Sequence, residues 1–129
     1  MAIDFLKAKT LKVDGSKIHS GLEIPLNASK SESNRALMIQ ALANNPIQLD
    51  NIAIARDSQT MQRLVSRPEL DPWDVLDAGT TMRFLTAYLA IQECTKTITG
   101  TPRMQQRPIN PLVDALRTLG AEVAYEKNE

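Results

Sequence analysis

Two phenylalanines, two tyrosines, one tryptophan, five glycines and a single cysteine are all that 129 residues supply of those types. One thiol, Cys94, excludes an internal disulfide and any sulfur-ligated cluster built by this chain, and a reducing compartment fits. With aromatics at 4%, a core has to be filled by Leu, Ile, Val, Met and Ala, and the 43% apolar fraction allows one of modest size. Neither sign of charge is in excess, 15 Lys and Arg standing against 15 Asp and Glu. No general pull toward nucleic acid or anionic lipid is therefore expected. No apolar run reaches the roughly 18–20 residues that span a bilayer. The opening MAIDFLKAKTLKVDG has neither a signal-type apolar stretch nor an arginine-rich character, so a cytoplasmic protein is expected. No GxxxxGK[ST] run offers an ATP phosphate cradle. The one histidine, His19, has no second ligand-type residue around it, so neither a metal nor a cofactor is expected.

Against these absences stands LDAGTTMRFLTAYLA, residues 76–90, where a small-residue loop, an arginine and an apolar helix follow one another. The first N–H groups of a helix have no intrahelical acceptor, so such a start can hold a phosphate or carboxylate while Arg83 adds charge-assisted bonds. Ser29, Lys30, Ser31, Ser33, Asn34 and Arg35 lead into ALMIQALA in the same manner. Lysine and arginine in a first helical turn oppose the helix dipole, which costs a few tenths of a kcal/mol each unless an anion sits there.

Residues 3–26 read as short strands and turns, with a turn at Asp14–Gly15–Ser16 and an extended GLEIPL. A helix is expected from about Ser33 to Asn44, burying Leu37, Ile39, Leu42 and Ala43, and ended by Asn44–Asn45–Pro46. IQLDNIAIA (47–55) reads as strand. Asp57 is placed to cap a helix to about Ser66 with Met61, Leu64 and Val65 inward. Thr80 is placed to cap a helix to Ile91, and 94–100 alternates toward β-structure with Cys94 buried. Asn110 caps a last helix with Pro111 in its first turn, exposing Asp114 and Arg117 and burying Leu112, Ala115, Leu116 and Leu119. Gly120 ends it, and AEVAY reads as strand. Arg35-Ala-Leu and Arg83-Phe-Leu recur 48 positions apart, each followed by helix, strand and second helix, so an internal duplication is expected. Asp50 and Asp57 lack the spacing of an acid–base pair, and Ser58 has no local histidine.

SKSESNRAL, DAGTTMR and GTPRMQQRPINPLVDALRTLGA, in that order, resemble the family of 3-phosphoshikimate 1-carboxyvinyltransferase, or EPSP synthase. The sister family that transfers enolpyruvyl to a UDP-sugar is disfavoured, because its first motif resembles a glycine-alanine-lysine-asparagine run. The resemblance covers this chain but only the N-terminal third of such an enzyme. It implies an α/β (α+β) fold of repeated βαβαββ units, helices on small mixed sheets, in an incomplete domain. Residues 1–20 would belong to the first domain of the full enzyme and 21–129 would form about two units of the second.

The family's substrates, shikimate 3-phosphate and phosphoenolpyruvate, are the implied partners. Lys30 matches a lysine that touches both ligands, and Ser31 and Arg35 match residues that hold the shikimate carboxylate. Gly79, Thr80 and Arg83 fall in the loop against phosphoenolpyruvate, where the inhibitor glyphosate also sits. Arg103 matches the arginine that grips phosphoenolpyruvate, with Arg107 assigned to organising its loop through local carboxylates. Asp77 stands where asparagine is usual, Phe84 where many members have proline, and Asn27-Ala28 where proline-glycine usually precedes Ser29. The resemblance implies that the proton-transfer residues lie outside this chain, which is then inactive alone. It also implies a monomeric full enzyme, and a fragment that self-associates through exposed apolar surface. The readings set against it are a small non-catalytic anion-binding or interaction domain and an RNA-binding module, the latter opposed by the zero net charge and dispersed arginines.

Overall fold

The computed structural model describes residues 12, 15, 20, 21, 23–43 and 47–126. Asp14, Ser16, His19 and Asn44–Asn45–Pro46, for which the sequence carried expectations, and most of segment 1–20 lie outside the described residues. In order come α1 (Lys30–Leu42), α2 (Arg56–Val65), β1 (Trp73–Asp74), α3 (Gly79–Leu89), β2 (Ile98–Thr99), α4 (Pro102–Gln105) and α5 (Asn110–Thr118). The chain is thus a mixed helix-and-strand unit of the expected α/β class. Its only sheet among the described residues is β1 paired in parallel with β2, Trp73 opposite Ile98 and Asp74 opposite Thr99. A parallel pair needs a crossover, and α3 provides it.

Ser29 fixes the start of α1. Its backbone is extended and its Oγ accepts the Glu32 N–H at 3.3 Å, which places the helix start three residues before the expected Ser33. The buried face of α1 is Ser33, Asn34, Leu37 and Met38, whereas Ile39 and Leu42 are 61% and 51% exposed. Two polar residues replace the two expected apolar ones because each has a partner across the packing interface. Ser33 Oγ accepts the Ala53 N–H at 2.9 Å, and Asn34 Oδ1 accepts the Ser58 hydroxyl at 2.8 Å.

Helix α2 is capped at Ala55 without a side-chain bond, so Asp57 is not the cap expected of it; its carboxylate reaches Lys30 instead. Met61 and Leu64 are buried as expected. Similarly, α3 begins at Gly79 behind Ala78, and Thr80 lies inside the first turn rather than capping it. For α5 the position before the helix is Ile109, with Asn110 its first residue. Val113 and Leu116 form the inward face of α5, and Leu119 is 84% exposed, because the helix ends at Thr118 and Gly120 (φ +97) turns the chain away.

The core joins α1, α2, α3 and β1 through Leu37, Met38, Met61, Leu64, Trp73, Val75, Leu85 and Met104, each worth roughly 1.5–3 kcal/mol when fully buried. Segments 47–55 and 121–125 carry no ladder, so neither is the strand their alternation suggested. Alternation shows which residues can face a sheet, but a strand also needs a neighbour to pair with. Cys94 is exposed in the turn after α3, not buried in a strand.

Candidate functional site

Helices α1 and α3 begin beside one another, and both starts open on one recess of about 550 Å³. Lys30, Ser31 and Arg35 enter it from α1, Asp57 from α2, and Asp77 from the turn before α3. Gly79, Thr80, Arg83 and Phe84 enter it from α3, and Arg107 from beyond α4. Four cations thus face two carboxylates, an excess of positive charge that the net charge of the chain does not reveal.

The turn into α3 is built tightly. Asp74 Oδ1 accepts the Leu76 N–H at 2.8 Å, Leu76 takes a left-handed φ of 57°, and the Ala78 N–H returns to Val75 O at 3.0 Å. The Leu76 carbonyl accepts the Thr101 N–H at 2.9 Å, tying the segment after β2 to this turn. Gly79 and Thr80, the first residues of α3, line the recess. Thr81, wholly buried, donates its hydroxyl to Asp57 O at 3.2 Å and so locks α3 to the start of α2.

The two helix-start arginines behave alike. Arg35 Nη1 donates to Ser31 O at 2.9 Å and to Ser31 Oγ, and Arg83 Nη1 donates to Gly79 O at 3.1 Å, four residues back in each case. Arg83 Nη2 also reaches Pro108 O at 3.0 Å. Lys30 Nζ stands 3.4 Å from Asp57 Oδ2, and Arg56 Nη1 stands 3.5 Å from Asp77 Oδ2. Exposed ion pairs of this kind are worth about 0–1 kcal/mol. An arriving anion can displace either carboxylate cheaply.

Arg103 is exposed on α4 and does not line the recess, whereas Arg107 does. Of the two, it is Arg107 that this structure brings to the recess. The single turn of α4, capped by Thr101 Oγ1 on the Met104 N–H at 3.3 Å, buries Met104, and the Arg107 N–H bonds Met104 O at 3.0 Å. That turn carries Arg107 to Gly79: a Cβ built on Gly79 would meet the Arg107 guanidinium, its Cζ at 2.9 Å. Among the described residues no carboxylate forms an ion pair with Arg107. Asp57 as a recess residue was missed, since its position looked like a helix cap.

Among the described residues no group of three or more His, Cys, Asp and Glu side chains is arranged to hold a metal ion. None of their helices is long and apolar enough to cross a membrane.

Fold and recess together define an α/β unit in which two cation-flanked helix starts open on one recess. Comparison with known proteins narrows that class. The sequence profile of EPSP synthase (3-phosphoshikimate 1-carboxyvinyltransferase) matches residues 62–129. A 3-phosphoshikimate 1-carboxyvinyltransferase of Bacteroides fragilis is 49% identical over 114 residues, covering 88% of this chain and 27% of that protein. Proteins of the same name from Shewanella halifaxensis and Sulfurovum sp. are 38% identical over 138 residues and 36% over 132. Those alignments cover 88% and 83% of this chain, and 32% and 31% of the relatives. No solved structure matches. The chain belongs to the EPSP synthase family. It spans between 27% and 32% of the length of these relatives.

Proposed function

We propose that this chain is the part of an EPSP synthase that seats the two substrates. The complete enzyme moves the carboxyvinyl group of phosphoenolpyruvate to the 5-hydroxyl of shikimate 3-phosphate and releases phosphate. The observation that carries this reading is the convergence of Lys30, Ser31, Arg35, Gly79, Thr80 and Arg83, from two separate helix starts, on one recess. Ser31 and Arg35 take the carboxylate of shikimate 3-phosphate, and Lys30 contacts both substrates. Gly79, Thr80, Arg83 and Arg103 take phosphoenolpyruvate, with Arg107, which lines the recess, as a further cation.

In the reaction the 5-hydroxyl adds to C2 of phosphoenolpyruvate, its proton leaves, and C3 gains a proton. The tetrahedral adduct then expels phosphate as C3 loses a proton. Clustered cations offset the repulsion between two anionic reactants and stabilise charge on the departing phosphate. The groups that give and take these protons lie in the remainder of the enzyme. Closure of that remainder over the recess excludes water and strengthens each contact.

The fold reading that goes with this is duplication of a βαβαββ-type unit, with 1–20 belonging to a first domain and 21–129 supplying about two units of a second. Its support is a set of equivalent positions. At a separation of 48, Ser33 and Thr81 are both buried and hydrogen-bonded to the start of α2 or the segment before it; Arg35 and Arg83 both bond four residues back; Leu37 and Leu85 are both core. At 52, Met61 and Leu64 match Val113 and Leu116, all buried. A cytoplasmic location and a monomeric complete enzyme accompany the proposal. The isolated chain self-associates through exposed Ile39, Leu42 and Leu119.

The test is phosphate release by the purified chain given both substrates. Background rates are expected, since the proton-transfer groups are missing. Turnover that disappears in Lys30→Met would overturn the division of labour.

A further inference from the structure

Phe84 contributes the one aromatic side chain among the residues lining the recess. It is half-buried and packs against the core cluster, so one side of its ring is held by the protein interior. Arg35 lies over the ring, its Cζ 6.0 Å from the ring centroid. Arg35 is itself exposed, and its other anchors are the carbonyl and hydroxyl of Ser31, both on its own helix. Phe84 is therefore the contact through which α3 acts on the direction of a cation carried by α1.

We infer that Phe84 is a positioning residue, whose ring holds the Arg35 guanidinium toward an anionic ligand in the recess. The inference rests on the reading of the recess as an anion site and adds a residue to which that reading gave no role. A guanidinium over an aromatic face is attracted by the ring quadrupole, and the contact restricts its rotamers without occupying N–H donors. Arg35 has five such donors, and those not bonded to Ser31 stay available to a carboxylate or phosphate oxygen. The sequential neighbours Arg83 and Phe84 then have linked tasks: Arg83 presents its own charge to the recess, and Phe84 aims the charge of the other helix start.

Inorganic phosphate titrated into the 129-residue chain and followed by NMR tests this. Phe84→Leu is expected to weaken phosphate binding about two- to fivefold, the ratio of a solvent-exposed cation–π contact, and Phe84→Trp to restore it. Before phosphate is added, the ring-current shift of the Arg35 Nε–H should vanish in Phe84→Leu. In an Arg35→Gln background the Phe84→Leu loss should disappear, which a general packing role for the ring does not predict. An equal loss in that background, or an unchanged Arg35 Nε–H shift, overturns the inference while leaving the anion site standing. Failure of phosphate to bind the parent chain, with Arg83→Ala without effect, overturns the anion site and this inference with it.

Discussion

Two glycines, Gly79 and Gly100, are comparably crowded, yet adding a methyl group to each should have opposite consequences. A Cβ on Gly79 would lie 2.9 Å from Arg107 Cζ and 3.3 Å from its Nη2. A Cβ on Gly100 would lie 2.6 Å from Leu76 O and 2.8 Å from Met104 Cγ. The first neighbour is the end of a flexible, exposed side chain that can swing aside. The second is a backbone carbonyl fixed by the Thr101 N–H at 2.9 Å, in a residue whose φ is already 57°. Gly79→Ala also gains from a less disordered unfolded chain, about 0.4–1 kcal/mol, because the first turn of a helix accepts alanine. Gly100→Ala should cost about 1–3 kcal/mol, the usual range for forcing volume into a packed site.

With roughly 3–5 °C of Tm per kcal/mol for a chain of this size, circular dichroism melts should show Gly79→Ala unchanged or a few degrees higher, and Gly100→Ala clearly lower. Phosphate binding should move the other way for Gly79→Ala. Displacing one exposed cation from the recess removes up to about 1 kcal/mol, roughly fivefold in affinity. A Tm loss in Gly79→Ala as large as that in Gly100→Ala, or an unaltered phosphate titration, refutes the assignment of Arg107 to the recess.

The buried Asn34–Ser58 pair should show coupling. Ser58→Ala or Asn34→Leu each leaves a polar partner unmatched and should cost about 1–3 kcal/mol, whereas the double variant should cost less than the sum by about 1 kcal/mol in urea unfolding. Strict additivity would contradict the hydrogen bond of 2.8 Å between them. Cys94 should react with a thiol reagent in the native chain about as fast as in the urea-unfolded chain, given its exposure. Strong native-state protection would show that it is buried after all. Arg83→Ala should weaken the millimolar phosphate binding expected of an open, solvent-screened recess without unfolding the chain, and a cooperative loss of helical signal would contradict this.

Helix existence was plain from the sequence, because Pro111 and Gly120 mark boundaries by local chemistry that needs no distant partner, although Ser29 and not Ser33 sets the start of α1. Faces were less plain. Ser33 and Asn34 are buried on α1 because the chain near Ala53 and Ser58 offers them hydrogen bonds, information that lies about 20 residues away from the helix it orients. Strands were least legible: 47–55 alternates convincingly, yet pairing is a property of two segments. In the recess, the small-residue and arginine motifs named most of the lining directly. Choosing between Arg103 and Arg107 depended on how one turn of helix after Pro102 aims the chain, and two arginines four residues apart look alike until that turn is drawn.

Arg83 holds two carbonyls at once, Gly79 O within its own helix and Pro108 O beyond α4. Of the five N–H groups of a guanidinium, two are engaged and three remain. Its rotamers are therefore frozen when the chain folds, not when a ligand arrives, and the entropy of ordering it drops out of the binding equilibrium. Lys30 is the opposite case, a half-exposed ammonium loosely matched to Asp57, whose partner an incoming anion must replace. One recess thus combines a stiff donor with a competitive one. Added salt should erode the lysine's share of affinity first, while the arginine's share should follow the integrity of the loop at Pro108.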